Sequence, residues 1–342
     1  CRWPNNDTAC IHEILLADVA AAVKHLREAR GFERVVFFGN SGGGALYTFY
    51  QSQAATKPPQ RLKTTPAGDP YDLNQMDLPE ADGIIQVATH LGEGVLLLHC
   101  IDPSVTDESD PLSRDPALDM YDPRNGYREL PEASKYSEEF LARFRAGQRA
   151  RVARLDEIAR GFVADMHAHL KIMMSPEYDG LSLARKNEVN RRALVGRFMV
   201  INRTEAHPAY TDPTIYPSKR DIGSFFPRRP DIFNYMEPGF GRIQTPRAWL
   251  STWSGLSSKA NTIECLPKVT IPSLVIGFTG DNVVFKPDIQ AIHDHSPAAD
   301  KALHWVDGDH LGLPPECNPK AAGRAGAMKI VTEWLRERFP GA

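Results

Sequence analysis

The stretch FFGNSGGGAL, residues 37–46, sets Ser41 among glycines directly after the apolar run Val35-Val36-Phe37-Phe38. A serine hydroxyl is a weak nucleophile at neutral pH. It becomes useful when a base takes its proton and an acid orients that base. Gly39-Asn40-Ser41-Gly42-Gly43 fits G-x-S-x-G, the pattern of a sharp strand-to-helix turn that holds the serine up. Bulky side chains at Gly39 and Gly43 are expected to clash with neighbouring backbone. The helix that follows points its N-terminus at the serine, so the Gly42 N–H can donate to a developing oxyanion. A glycine-rich turn or a phosphate cradle is the competing reading, but a Walker-type loop needs a lysine after its glycines and none follows here.

The chain has 11 histidines. His310, in VDGDHLGL, follows an apolar segment and lies in a Gly/Asp loop, the setting that lets an imidazole reach a sheet end. Asp281, in GFTGDNVVF, directly follows another apolar segment and is the expected orienting acid. The order Ser41, Asp281, His310 is the one that goes with this turn type. Asp307 and Asp309 flank His310 and stay open as alternatives, with loop shaping their simpler role. Asp288 reads as a surface residue.

The elements that must position these groups are legible from periodicity. Apolar residues recur at three and four between residues 9 and 30, which predicts a helix capped by Asp7 or Thr8. Residues 34–38 form a continuous apolar strand, the mark of a sheet buried on both faces. Residues 45–53 read as a helix, 81–90 as a strand and 92–102 as a helix. Strands at 271–280 and 301–308 flank a short helix at 286–296. A last helix over 326–339 is expected to bury Met328, Val331, Trp334 and Leu335. Strands alternating with helices predict an α/β fold with a mostly parallel sheet covered by helices. Between them lies a different kind of sequence: an Asp/Pro-rich loop, a long helix over 137–173, and a Pro-, Arg- and aromatic-rich stretch over 203–247.

The motifs GNSGG, GFTGDNVVF and GDHLGL together resemble the α/β-hydrolase superfamily, of the serine esterase and acyl hydrolase kind. The resemblance covers both ends of the chain. It implies core segments at 1–102 and 269–342 and a cap inserted at 103–268, ahead of the acid-bearing strand. It also implies several strands before the nucleophile strand, one of whose loops gives the second oxyanion donor. Only one helix and one strand precede Ser41. A fragment of a longer protein is therefore expected, with an open apolar edge and an oxyanion hole reduced to the Gly42 N–H. Relatives that cleave haloalkanes or epoxides carry Asp at the nucleophile position, and Ser41 argues against both.

The expected activity is hydrolysis of an ester or related acyl bond in a small-molecule substrate, with no cofactor and no metal. Acyl transfer, peptide cleavage and C–C cleavage fit the same three residues. So do a hydrolase-like binding module without turnover and a truncated piece with no stable function alone. Phe225, Phe226 and Trp253, with Phe233, Tyr235 and Trp249, either line an apolar acyl pocket or form the cap core. Arg228 or Arg229 either meets a substrate anion or braces the lid. His167 and His169, and His293 and His295, are two apart. On a helix such residues point about 200° from one another, so packing or surface roles are expected.

A net charge of −3 gives no basic field for nucleic acid. The arginines between 143 and 160 alternate with acids, as on an ordinary helix surface. No apolar run reaches the ~18 residues of a membrane span. Five scattered cysteines read as reduced thiols, and a cytoplasmic setting is expected.

Overall fold

The computed structural model describes residues 6–225 and 228–340. In chain order its main elements are α1 (His12–Lys24), β1 (Val36–Asn40), α2 (Gly42–Ala55), β2 (Gly83–Val87), α3 (Glu93–Cys100), α4 (Glu138–Met173) and α5 (Leu183–Leu194). There follow β3 (Met199–Val200), β4 (Ile243–Gln244), β5 (Ser273–Phe278), α6 (Lys286–His295), β6 (Lys301–Val306) and α7 (Gly323–Arg338). β1, β2, β5 and β6 form one parallel sheet in the order β1-β2-β5-β6, and β3 and β4 pair antiparallel in a separate ribbon. The fold class is therefore α/β, with a parallel sheet and a mainly helical segment inserted ahead of β5.

The strand sequences explain the layering. Successive side chains on a strand point to opposite faces. Ile84 and Val275 join α1, α2 and α6 in one core, through Leu16, Val23, Phe49 and Ile289. Their neighbours Ile85, Leu274 and Ile276 meet Val331 and Trp334 of α7 on the other face. Both faces are covered, which is why β2 and β5 are apolar without alternation. α4 runs 36 residues from the N-cap Ser137, whose hydroxyl accepts from the Phe140 N–H. Its Val152, Leu155 and Ala159 pack with Leu97 of α3 and with Trp249 and Trp253.

Several expectations are corrected. The apolar run before Ser41 is not buried on both faces: β1 is an edge strand, and Phe38 is 45% exposed. A groove between α1 and β1 is lined by Leu15, Leu26, Val36, Phe38 and Tyr47, so the apolar edge is open among the described residues. α1 starts later than its periodicity suggests. Its N-cap is Ile11 with no side-chain cap, while Asp7 and Thr8 fall in a preceding turn of 3-10 helix. Met328 is exposed, because the buried stripe of α7 runs through Ala327, Val331 and Trp334. α5 was not foreseen. Its sequence is polar, and only Val189 and Ala193 are buried as it packs along α4.

Candidate active site

A parallel sheet sends every strand's C-terminal loop to the same end. Ser41 follows β1, His90 follows β2, Asp281 follows β5 and His310 follows β6. Four chemically capable residues, far apart in sequence, are thereby delivered to one rim.

Ser41 has φ 52 and ψ −124, a left-handed backbone that few non-glycine residues adopt. The turn is fastened on both sides. The Ser41 N–H donates to the Val87 carbonyl at 3.0 Å, and the Gly44 N–H donates to the Ser41 carbonyl at 3.1 Å. A Cβ at Gly39 would lie 2.4 Å from the Gly44 Cα, so the strand and helix touch there. The second tight position is not Gly43, where a Cβ would meet nothing within 4 Å. It is Gly44, where a Cβ would fall 2.0 Å from the Thr89 Oγ1. α2 begins at Gly42, so the Gly42 N–H, next to Ser41 in the chain, has no partner within the helix.

The His310 Nε2 lies 3.1 Å from the Ser41 Oγ, and its Nδ1 lies 2.8 Å from the Asp281 Oδ2. The other Asp281 oxygen accepts from the Val283 and Val284 N–H groups at 2.7 and 2.9 Å. His310 and Asp281 are both buried. Burial opposes the charged imidazolium, but the Asp281 carboxylate outweighs it and holds His310 above its ordinary value. The alternative acids are committed elsewhere. Asp307 binds Lys219, Thr279 and Asn318, and Asp309 accepts from the Leu311 and Leu313 N–H groups. Asp288 is not a plain surface residue. It accepts from the Phe285 N–H at the start of α6, and burial, with the nearby Asp281 charge, pushes it up to about 6.

Of the expected substrate-side residues, Phe225 meets the His310 ring edge-on, with centroids 5.4 Å apart, in a cleft that Asn282 and Leu313 also line. Arg228 lines the same cleft and is paired with Asp221 and Glu316, and Arg229 is paired with Asp231. Trp253 is buried in the helical core under α4. Phe226 lies outside the described residues.

The loop after β2 carries what the sequence reading passed over. His90 and Glu93 occupy the space that a side chain at Gly42 would fill: a Cβ there would lie 2.5 Å from the Glu93 Oε1 and 3.3 Å from the His90 Nε2. The other Glu93 oxygen lies 3.5 Å from the His12 Nε2. The only sequence signal was position, a histidine three residues past the end of an apolar strand.

Among the described residues no group of three or more His, Cys, Asp or Glu is placed to hold a metal, and no helix is long and apolar enough to cross a membrane. Among the described residues Cys100, Cys265 and Cys317 are free thiols.

No family model matches the chain, and no curated protein does. Solved structures similar to it include a monoacylglycerol lipase from Paleococcus ferrophilus, 12% identical over 98% of this chain and 79% of that one, with a TM-score of 0.41. An alpha/beta fold family hydrolase from Bacillus anthracis is 9% identical over 95% and 74%, with a TM-score of 0.34. The esterase domain of a Rhodothermus marinus protein is 10% identical over 94% and 68%, with a TM-score of 0.36.

Proposed function

We propose that this chain is a serine hydrolase of the α/β-hydrolase kind that cleaves an ester or related acyl bond of a small-molecule substrate. The observation that carries the reading is the continuous hydrogen-bonded line from Ser41 through His310 to Asp281. His310 takes the Ser41 proton on Nε2 as the Oγ attacks the acyl carbon. The carbonyl π pair moves onto oxygen beside the Gly42 N–H. When the tetrahedral species collapses, His310 returns the proton to the leaving oxygen. Water then enters, gives its proton to His310, and releases the acid from Ser41 by the same steps in reverse. Asp281 keeps the imidazole in the tautomer with its proton on Nδ1 and stabilises the imidazolium while it exists.

The test is labelling with a fluorophosphonate probe, read by peptide mass spectrometry, beside Ser41→Ala. A single adduct on Ser41 that disappears in the variant is the expected outcome. A folded wild-type chain that takes no adduct at Ser41 would sink the reading.

A further inference from the structure

An apolar cavity lies apart from the rim of the sheet. Its wall takes Ile11 from the approach to α1, Phe162 and Met166 from α4, Val195 from the link after α5 and Pro246 from the turn after β4. Ser41, Asp281 and His310 do not line it. Its volume is about 280 Å³. An apolar cavity of ~150 Å³ stays dry and takes a benzene ring. This one has about twice that room, enough for a single alkyl chain of roughly ten carbons and too little for two such chains.

Two arginines complete the wall, Arg197 and Arg247. The Arg197 guanidinium stands over the Phe162 ring, 4.8 Å from its centroid, and its Nη2 donates to Asp165 at 2.8 Å. The Arg247 Nη2 donates to Asp69 at 2.8 Å. The Arg247 Nε is buried and has no hydrogen-bond partner among the described residues. Buried N–H groups are rarely left without an acceptor, so this one marks a place for an acceptor. The planar fork of a guanidinium matches a carboxylate. The surrounding charge agrees. Arg192 also binds Asp165, at 3.2 Å, and lies 3.9 Å from Glu188, which Arg185 binds. Four arginines therefore meet three carboxylates, one positive charge in excess before His167 beside Asp69 and His169 beside Asp165 are counted.

We propose that this cavity binds a free fatty-acid anion of about ten carbons, with its chain against Ile11, Phe162, Met166 and Val195 and its carboxylate on Arg197 and Arg247. Burial of the chain drives binding, and the two guanidiniums decide which end faces out. A neutral chain of the same length leaves the Arg247 Nε without an acceptor. A lipid with two acyl chains exceeds the volume. The site is independent of the serine hydrolase reading and stands whether or not Ser41 is a nucleophile.

The experiment follows the Met166 methyl resonance of protein carrying carbon-13 in its methionine methyls, as decanoate is added below its micellar concentration. A saturable shift is expected. Octanoate should bind about tenfold more weakly than decanoate, because each methylene lost costs about fourfold. 1-Decanol, the same chain without the charge, should also bind at least about tenfold more weakly. Arg197→Gln combined with Arg247→Gln should raise the decanoate Kd by at least about tenfold and leave that of 1-decanol within about threefold. Should that variant fail to fold, the wild-type comparison of decanoate with 1-decanol still decides. Decanoate held at the rim of the sheet would leave the Met166 resonance unmoved, and an unmoved resonance overturns the proposal. So does 1-decanol binding as tightly as decanoate, or unchanged decanoate affinity in the double variant. A shift with phosphatidylglycerol vesicles and none with decanoate would also overturn it, and would make this surface a bilayer contact instead.

Discussion

The rim of the sheet and the segment between Asp102 and Ala248 both fix side chains, but by different means. At the rim each residue is set by its own short loop. Asp281 is tied by N–H groups two and three positions on, and Ser41 by the turn between β1 and α2. In the inserted segment the ties are long side chains that reach distant backbone. Arg151, 1% exposed, donates to the carbonyls of Asp102 and Asn202 and binds Glu108 with two nitrogens. The first strategy needs only local sequence. The second needs the whole fold, since the Arg151 guanidinium and the carbonyls it satisfies lie about fifty residues apart.

The sharpest way to break this contrast is at Asp281. Asp281→Asn is expected to lower kcat on the order of 10⁴-fold while the fold stays intact. The same change removes the pull that holds His310 above its ordinary value. The proposed mechanism needs the neutral imidazole, so the wild-type acid limb should lie above about pH 6.5, and in the variant it should fall. A pH–rate profile of both proteins decides this, and an unmoved limb would contradict it.

The counterpart in the inserted segment is Arg151→Met. It strips one of two arginines from Glu108, whose burial is outweighed by Arg151 and Arg154 so that its carboxyl lies below the usual range; Arg154 stays 2.6 Å away. The variant also leaves the Asp102 and Asn202 carbonyls without their Arg151 donors, and each buried polar group left unsatisfied costs about 1–3 kcal/mol. Urea titration should show that loss in stability, with the Ser41 adduct still forming in the fraction that is folded.

Glu205 gives a smaller effect of opposite sign. Burial pushes its carboxyl up to about 7, against Ser224 and Arg242. In the unfolded chain it ionises near 4.3, so the unfolded state binds fewer protons between about pH 4.3 and 7, and stability falls as pH rises through that window. Glu205→Gln should flatten this slope and gain up to about 3 kcal/mol at pH 8. Equal slopes in the two proteins would count against it.

The smallest contrast lies within the rim itself. Gly44→Ala should cost about 1–3 kcal/mol by forcing Thr89 aside. Gly43→Ala should be neutral or stabilising by up to about 1 kcal/mol, because the position is open and helical. Thermal melts of both variants test the pair, and equal damage would overturn the reassignment of the tight glycine.

These contrasts explain how much was legible beforehand. The strands, Ser41, Asp281 and His310 could be read because apolar runs mark strand ends and parallel strands share a rim. The 36-residue α4 was legible from its apolar stripe and Ser137 cap. The place of His90 and Glu93 beside Gly42 was not legible because they lie nearly fifty residues from it and no spacing rule links them. The tight glycine was misplaced by one because the motif names residues, whereas the clash depends on Thr89 across the sheet. α5 escaped because a helix held by two apolar residues carries too weak a stripe. Arg228 could not be assigned until Asp221 and Glu316 were seen around it.

β1 sits at the sheet's edge and, among the described residues, pairs only with β2. Ser41 therefore hangs on a strand anchored along one side, while β5, which leads to Asp281, is anchored along both. Amide hydrogen exchange should report this directly, with β1 exchanging through small openings that leave β5 protected. Such openings carry Ser41 away from His310 without melting the core. The lifetime of the assembled site is then set by local opening of β1, and heating is expected to silence the chain below the temperature at which it unfolds.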